Sequence, residues 1–263
     1  EVEAGYYRKH IQSVLGQKRP EELSAANILM LRDTMLKEGF APQTVKNVLS
    51  LLRRIIRWGE KLELCELPKA IRTMDMPKVD NITTENLTEA QIKSLLEVLA
   101  QDPDRQAANA MRLALCTGIR KTALLSLRWD DLDFERNFIT LRGENAKKGK
   151  TDVIPMPEAA RIIFSSISRF NEYVFPSPTN PEGHRLDCYR SFRRIRKNAG
   201  LPEKFRPMHG LRHTFASLLA SSGKVDLLTL QKLLTHGSPQ MTQRYAHLHD
   251  EALKKASAVI DEF

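Results

Sequence analysis

Residues 209–245 read HGLRHTFASLLASSGKVDLLTLQKLLTHGSPQMTQRY, and the fold class turns on how this stretch is understood. From Pro181 onward the apolar residues recur at helical spacing. Leu227, Leu228, Leu230, Leu233 and Leu234 form a leucine-rich stripe whose expected role is core packing. Into this apolar frame are set His209, Arg212, His213, His236 and, nine residues further on, Tyr245. Upstream, Thr117-Gly118-Ile119-Arg120 follows another apolar helix. Taken singly, a histidine in such a helix is a packing residue and a tyrosine near a C-terminus is structural. The order and spacing of the whole set carry the information.

Working outward, helical periodicity runs through 106–116 and 122–127. Phe138–Leu141 and Asp152–Met156 read as strands joined by the polar turn GENAKKGK, a small hairpin with a lysine-rich tip. Tyr173–Phe175 is a third β-rich piece. Thr88-Glu89-Ala90-Gln91 matches a capping box, with Ile92, Leu95, Leu96 and Leu99 behind it, so a domain is expected to start at this helix. Before it, residues 76–87 lose the periodicity around Pro77, Asp80 and Asn81 and read as a linker. Residues 1–75 read as a separate helical domain. Within it, 42–60 places Val45, Val48, Leu49, Leu52, Ile55 and Ile56 on one stripe, with Gly59 as the expected stop. Arg53, Arg54 and Arg57 fall on the opposite side, as a solvated face or a DNA-facing one. The expected fold is mainly α with a small antiparallel β-sheet.

Lysine and arginine total 41 against 32 acids, giving a formal charge of +9. A polyanionic partner fits this balance, because phosphate neutralisation releases counterions. The excess is concentrated between Arg185 and Arg212, where only Asp187 and Glu203 oppose Arg190, Arg193, Arg194, Arg196, Lys197 and their neighbours. The favoured reading of that segment is a surface tracking phosphates. Cys65, Cys116 and Cys188 form no CxxC pair, which argues against a disulfide scaffold and for a reducing compartment. No apolar run approaches the length of a membrane span, and EVEAGYYRKH does not read as a signal peptide. The chain opens on Glu1, not Met, as a piece of a longer protein would.

TGxR, a lysine hairpin, HxxR and LxxLLxHGSxxxTxRY, in that order, resemble the tyrosine recombinase family of the phage-integrase type. Residues 88–249 look like its catalytic domain, and GFAPQTVKNVLSLLRRIIRWGEKLEL resembles its helical core-binding domain. The resemblance implies a site-specific recombinase or integrase that cuts and rejoins DNA through a 3′-phosphotyrosyl intermediate. Tyr245 looks like the nucleophile, and Arg120 and Arg212 like the arginines holding the scissile phosphate. Lys147, in a KxGK pattern ahead of Pro155, looks like the general acid, with Lys148 and Lys150 as confusable neighbours. His209 and His236 match the remaining positions. The resemblance further implies duplex DNA as partner, a homotetramer on DNA, accessory DNA-bending proteins, no cofactor, and a cytoplasmic, nucleoid-associated setting typical of mobile elements. The C-terminal Glu251–Phe263 has Leu253, Ala256, Val259 and Ile260 at helical spacing, and docks either on its own domain or on a neighbouring protomer.

The residue types suit the chemistry. Attack on a phosphodiester builds negative charge on phosphoryl oxygens, and two guanidinium forks can meet it without a divalent cation. A phenol with a reference pKa of about 10 needs a base or a strong field, and His209 is the better base candidate. His236 would bond the phosphate or orient the tyrosine. A phosphotyrosine ester conserves the energy of the broken bond, so no nucleotide is needed. One departure from the family is Ala123, where many members carry an acid. Zinc is the rival reading for His209 and His213. The residues between them are Gly-Leu-Arg, without the HEXXH glutamate, and Arg212 would repel a cation. A type IB topoisomerase and an inactive architectural DNA-binding module are the alternatives in function.

Overall fold

The computed structural model describes residues 2–79, 85–143, 149 and 151–249. The chain divides into two compact units, Glu1–Asn81 and Ile82–Phe263.

The first unit is helical. A continuous helical segment at its start includes α1 (Val2–Tyr6) and α2 (Gln12–Leu15), joined through one wide turn. Ser24 caps α3 (Ala25–Lys37) by accepting from the Asn27 amide, while the Asn27 side chain accepts from the Ser24 amide. Pro42 opens α4 (Pro42–Lys61), where a missing N–H costs nothing. Val45, Val48, Leu49, Leu52 and Ile56 of α4 are buried against Ile28, Leu31 and Met35 of α3 and Ile71 of the short α5 (Lys69–Arg72). Each such side chain contributes about 1.5–3 kcal/mol by leaving water. Two expectations are corrected here. Ile55 lies at the edge of the stripe and is exposed. The helix also passes through Gly59 to Lys61, and Gly59 faces the Cys65 sulfur, from which a Cβ there would sit 2.9 Å.

In the second unit Thr88 caps α6 (Glu89–Gln101) with the reciprocal bonds the sequence predicts. The centre is α7 (Arg105–Thr117), whose Ala107, Ala108, Ala110 and Ala114 are fully buried. Small side chains let α11 (Pro207–Ser221) pack closely along it. Around this pair lie α8 (Lys121–Leu125), α9 (Glu158–Ser165), α10 (Tyr189–Asn198), α12 (Leu227–Leu233) and the single turn α13 (Gln240–Gln243). The predicted hairpin forms, with β2 (Phe138–Leu141) antiparallel to β3 (Asp152–Pro155). A two-residue strand, β1 (Leu132–Asp133), adds to its edge and was not expected. Tyr173–Phe175 does not make a strand. It bridges Arg128 at one residue pair, while Val174 and Phe175 fill the core.

Acids at the entry to α7 anchor α10. Asp104 caps α7 through the Ala107 amide, takes Arg185 through both oxygens at 2.8 and 2.6 Å, and accepts from Ser191. Burial alone would raise its pKa, but these bonds outweigh that and hold it at about 2. The buried Asp102 takes Arg194 at 2.7 and 3.2 Å.

Candidate active site

The site is assembled from two chain corners and one helix, all in the second unit. The first corner ends α7. Thr117 donates its hydroxyl to the Leu113 carbonyl, and Gly118 turns the chain with φ +65°. Glycine is required there twice over, because a Cβ would also lie 2.4 Å from the Phe215 ring. The turn delivers Arg120 to the start of α8. The second corner ends α12. Thr235 takes a left-handed φ of +47°, a strained choice for a β-branched residue. This aims both its carbonyl and its hydroxyl at Arg120, which donates to the hydroxyl at 2.6 Å and to the carbonyl at 3.1 Å.

Arg212 projects from α11 between these corners. It is only 8 % exposed and donates to the carbonyls of Gly118, at 2.6 Å, and Leu234. Gly210, two residues before it, lies against Phe205, whose ring a Cβ would meet at 2.2 Å. Neither Arg120 nor Arg212 forms an ion pair with a carboxylate among the described residues. Burial, and then Arg120, pull the Arg212 pKa down to about 9, so it stays charged at neutral pH. Burial lowers Arg120 as well, opposed by the carboxylate of Asp152 on β3. That carboxylate acts near Arg120, although position 123 is Ala. Among the described residues, these bonds use only part of each guanidinium's five donors. Two half-satisfied positive groups beside each other form a site for an anion with several acceptor oxygens.

Tyr245 follows α13 and is 2 % exposed, packed with Ala216, Ala220, Leu230 and Leu234. Burial raises the pKa of its phenol, opposed by Arg244 and Arg212. The hydroxyl meets Nδ1 of His213 at 2.5 Å. His213, 3 % exposed, meets Nε2 of the exposed His209 with its own Nε2 at 2.8 Å. His236 bonds the buried Thr242 hydroxyl through Nδ1 at 2.8 Å. Burial, then Arg212 and Arg120, push its pKa to about 3, so it is neutral.

Of the sequence-selected residues, Arg120, His209, Arg212, His236 and Tyr245 thus come together within one unit. Lys147, Lys148 and Lys150 lie outside the described residues. Of the candidate DNA contacts, Arg54, Arg57, Arg190, Arg193 and Lys197 are exposed, with Arg54 paired to Glu3 and Arg193 stacked on Tyr189. Arg53 is turned to the Met74 carbonyl and Arg194 to Asp102. Sequence reasoning overlooked Thr235 and Thr242, though both sit inside the quoted box, and read His213 as a packing or surface residue. The four-residue spacing from His209 was the only local sign that it would share that helix face.

A family model described as the phage integrase family matches residues 85–252. The chain belongs to the phage integrase family. Among curated proteins, this recombinase is 28% identical to tyrosine recombinase XerA of Pyrococcus furiosus, over 84% of this chain and 82% of that one. It is 27% identical to tyrosine recombinase XerD of Vibrio cholerae, over 95% and 86%. Among solved structures it resembles the Tn1549 transposon integrase in complex with a circular intermediate DNA, with a TM-score of 0.74, 20% identity and 93% and 89% coverage. A lambda integrase dimer bound to a core site gives 0.69, 21%, 92% and 87%. At these identities the two structures establish a shared fold. The mainly helical fold with a small antiparallel sheet and the tyrosine recombinase class are as the sequence predicts.

Proposed function

We propose that this recombinase cleaves and rejoins DNA strands by transferring a phosphodiester to Tyr245, leaving a 3′-phosphotyrosyl ester and a free 5′-hydroxyl. One observation carries the reading: Arg120 and Arg212 converge, unpaired by any described carboxylate, next to the only tyrosine of the HGS–RY box. Their guanidinium forks would hold the non-bridging oxygens and supply the charge a divalent cation supplies elsewhere. His236, held neutral on Thr242, would donate its Nε2–H to the phosphate. Lys147 would protonate the leaving 5′ oxygen. The ester stores the bond energy, and any aligned 5′-hydroxyl can reverse the step.

Exchanging strands between two duplexes breaks four strands with one tyrosine each, which supports a homotetramer on paired sites. In this reading residues 1–75 and 88–263, joined by 76–87, grip the duplex together. Arg53, Arg54 and Arg57 in front, and Arg190, Arg193, Arg194 and Lys197 behind, contact phosphates, least so Arg53 and Arg194. Accessory DNA-bending proteins and a cytoplasmic, nucleoid location belong to the same reading.

The test is a nicked suicide substrate carrying the cognate site. Wild type is expected to accumulate a covalent adduct and Tyr245→Phe none. An adduct formed by Tyr245→Phe overturns the assignment. A substrate with a 5′-bridging sulfur, whose thiolate leaves unaided, is expected to rescue Lys147→Ala; no rescue removes Lys147 from the general-acid role.

A further inference from the structure

The phenol proton has to go somewhere, and the residue expected to take it, His209, does not touch the phenol. Between them stands His213. It was expected to be a packing or surface residue, yet its two ring nitrogens each face a partner of the site. Nδ1 lies 2.5 Å from the Tyr245 hydroxyl and Nε2 lies 2.8 Å from Nε2 of His209. The rings of His209 and His213 meet edge to face, centroids 4.4 Å apart, and that of Tyr245 follows at 5.8 Å.

A neutral imidazole has one N–H and one lone pair, so the chain can be protonated in two ways. In one, His209 donates to His213 and His213 donates to the phenol oxygen. The phenolic hydrogen then needs another acceptor, and no other bond to that hydroxyl exists among the described residues. An orphaned buried hydroxyl hydrogen costs about 1–3 kcal/mol. In the other, the phenol donates to Nδ1 and His213 donates through Nε2 to His209. Every bond is then made, and the second order is the stable one.

We propose that His213 takes the phenolic proton and passes its own to His209, so that Tyr245 is deprotonated through two imidazoles. The inference rests on Tyr245 being the nucleophile. In the step, the Tyr245 O–H bond breaks as the oxygen bonds phosphorus. The proton moves to Nδ1 of His213, and the proton on its Nε2 moves to Nε2 of His209. The bond from phosphorus to the 5′ oxygen breaks, and that oxygen is protonated by the general acid.

The advantage is electrostatic. His213 is buried, and His209, Arg244, Arg206 and Arg212 all oppose charge on it, which pushes its pKa to about 3. As a terminal base it would fail at neutral pH. As a relay it ends neutral, and the charge appears on exposed His209. There desolvation, Arg206, Arg212 and Arg244 also oppose charge, but Glu85 favours it.

Single-turnover cleavage of the suicide substrate between pH 7 and 9 tests this. Wild type is expected to be flat over that range. His213→Ala is expected to be slower at pH 7 by on the order of 10²-fold or more, the usual worth of a general base. Its rate should climb about tenfold per pH unit as hydroxide replaces the relay, while DNA affinity stays unchanged. His213→Asn offers the phenol an acceptor but cannot relay, and is expected to rise with pH in the same way. A flat profile for either variant, at any rate, overturns the proposal. So does recovery of wild-type behaviour by Asn, which would mean that His213 only holds the phenol. Imidazole nitrogen NMR of the wild-type protein gives an answer that needs no variant: His213 is expected as the Nε2–H tautomer, and a protonated Nδ1 overturns the direction of transfer. If wild type itself forms no adduct, the nucleophile assignment falls first; an adduct with normal His213 variants removes the relay alone.

Discussion

Two sets of arginines in the second unit have opposite fates. Arg185 and Arg194 end on Asp104 and Asp102, so their charge is cancelled within the fold. Arg120 and Arg212 end on the carbonyls of Gly118, Leu234 and Thr235. A carbonyl orients a guanidinium without neutralising it. The first set therefore fixes α10 to the entry of α7, and the second keeps its net charge, which in the proposed function meets an incoming phosphate. What an arginine does here is decided by whether its partner carries charge.

The sharpest way to break this contrast is Arg212→Gln. Cleavage is expected to fall on the order of 10³-fold, as for loss of a charge-stabilising donor. Thermal stability should barely drop, because an uncompensated buried charge is removed with it. A large loss of stability would mean that Arg212 is structural after all. Arg194→Ala should behave in reverse: it removes both guanidinium bonds to the buried Asp102 carboxylate, costing about 1–3 kcal/mol in denaturant unfolding, while the folded fraction still cleaves. A selective loss of DNA affinity with normal stability would restore Arg194 as a DNA contact.

A smaller effect comes from Asp104. Its carboxyl is held below its ordinary value, at about 2, so it stabilises the fold above the unfolded value of about 4 and stops doing so as pH falls towards 2. Asp104→Asn should be less stable than wild type at pH 7, and the gap should close over that acid window. Unfolding curves from pH 7 to 2 check this; a gap independent of pH would point to lost geometry and not to charge.

What the sequence made legible was local. The Thr88–Gln91 cap, the β2–β3 hairpin and the α4 stripe each depend on residues a few positions apart. The TGIR, HGLR and HGS–RY elements carried the site because their spacing encodes two corners and a helix. What stayed hidden depends on distant partners. Arg194 looks the same as Arg193 until Asp102, 92 residues away, folds against it. His213 looks like a packing residue until Tyr245, 32 residues on, delivers a hydroxyl to it. β1 was missed because two residues cannot display an alternation.

The depth of the tyrosine has a consequence of its own. A ring with 2 % of its surface in contact with water is sheathed. Iodinating or acetylating reagents should reach Tyr7 or Tyr189 long before it. In the function proposed above, the same burial shields the phenol from side reactions while it stays bonded to His213.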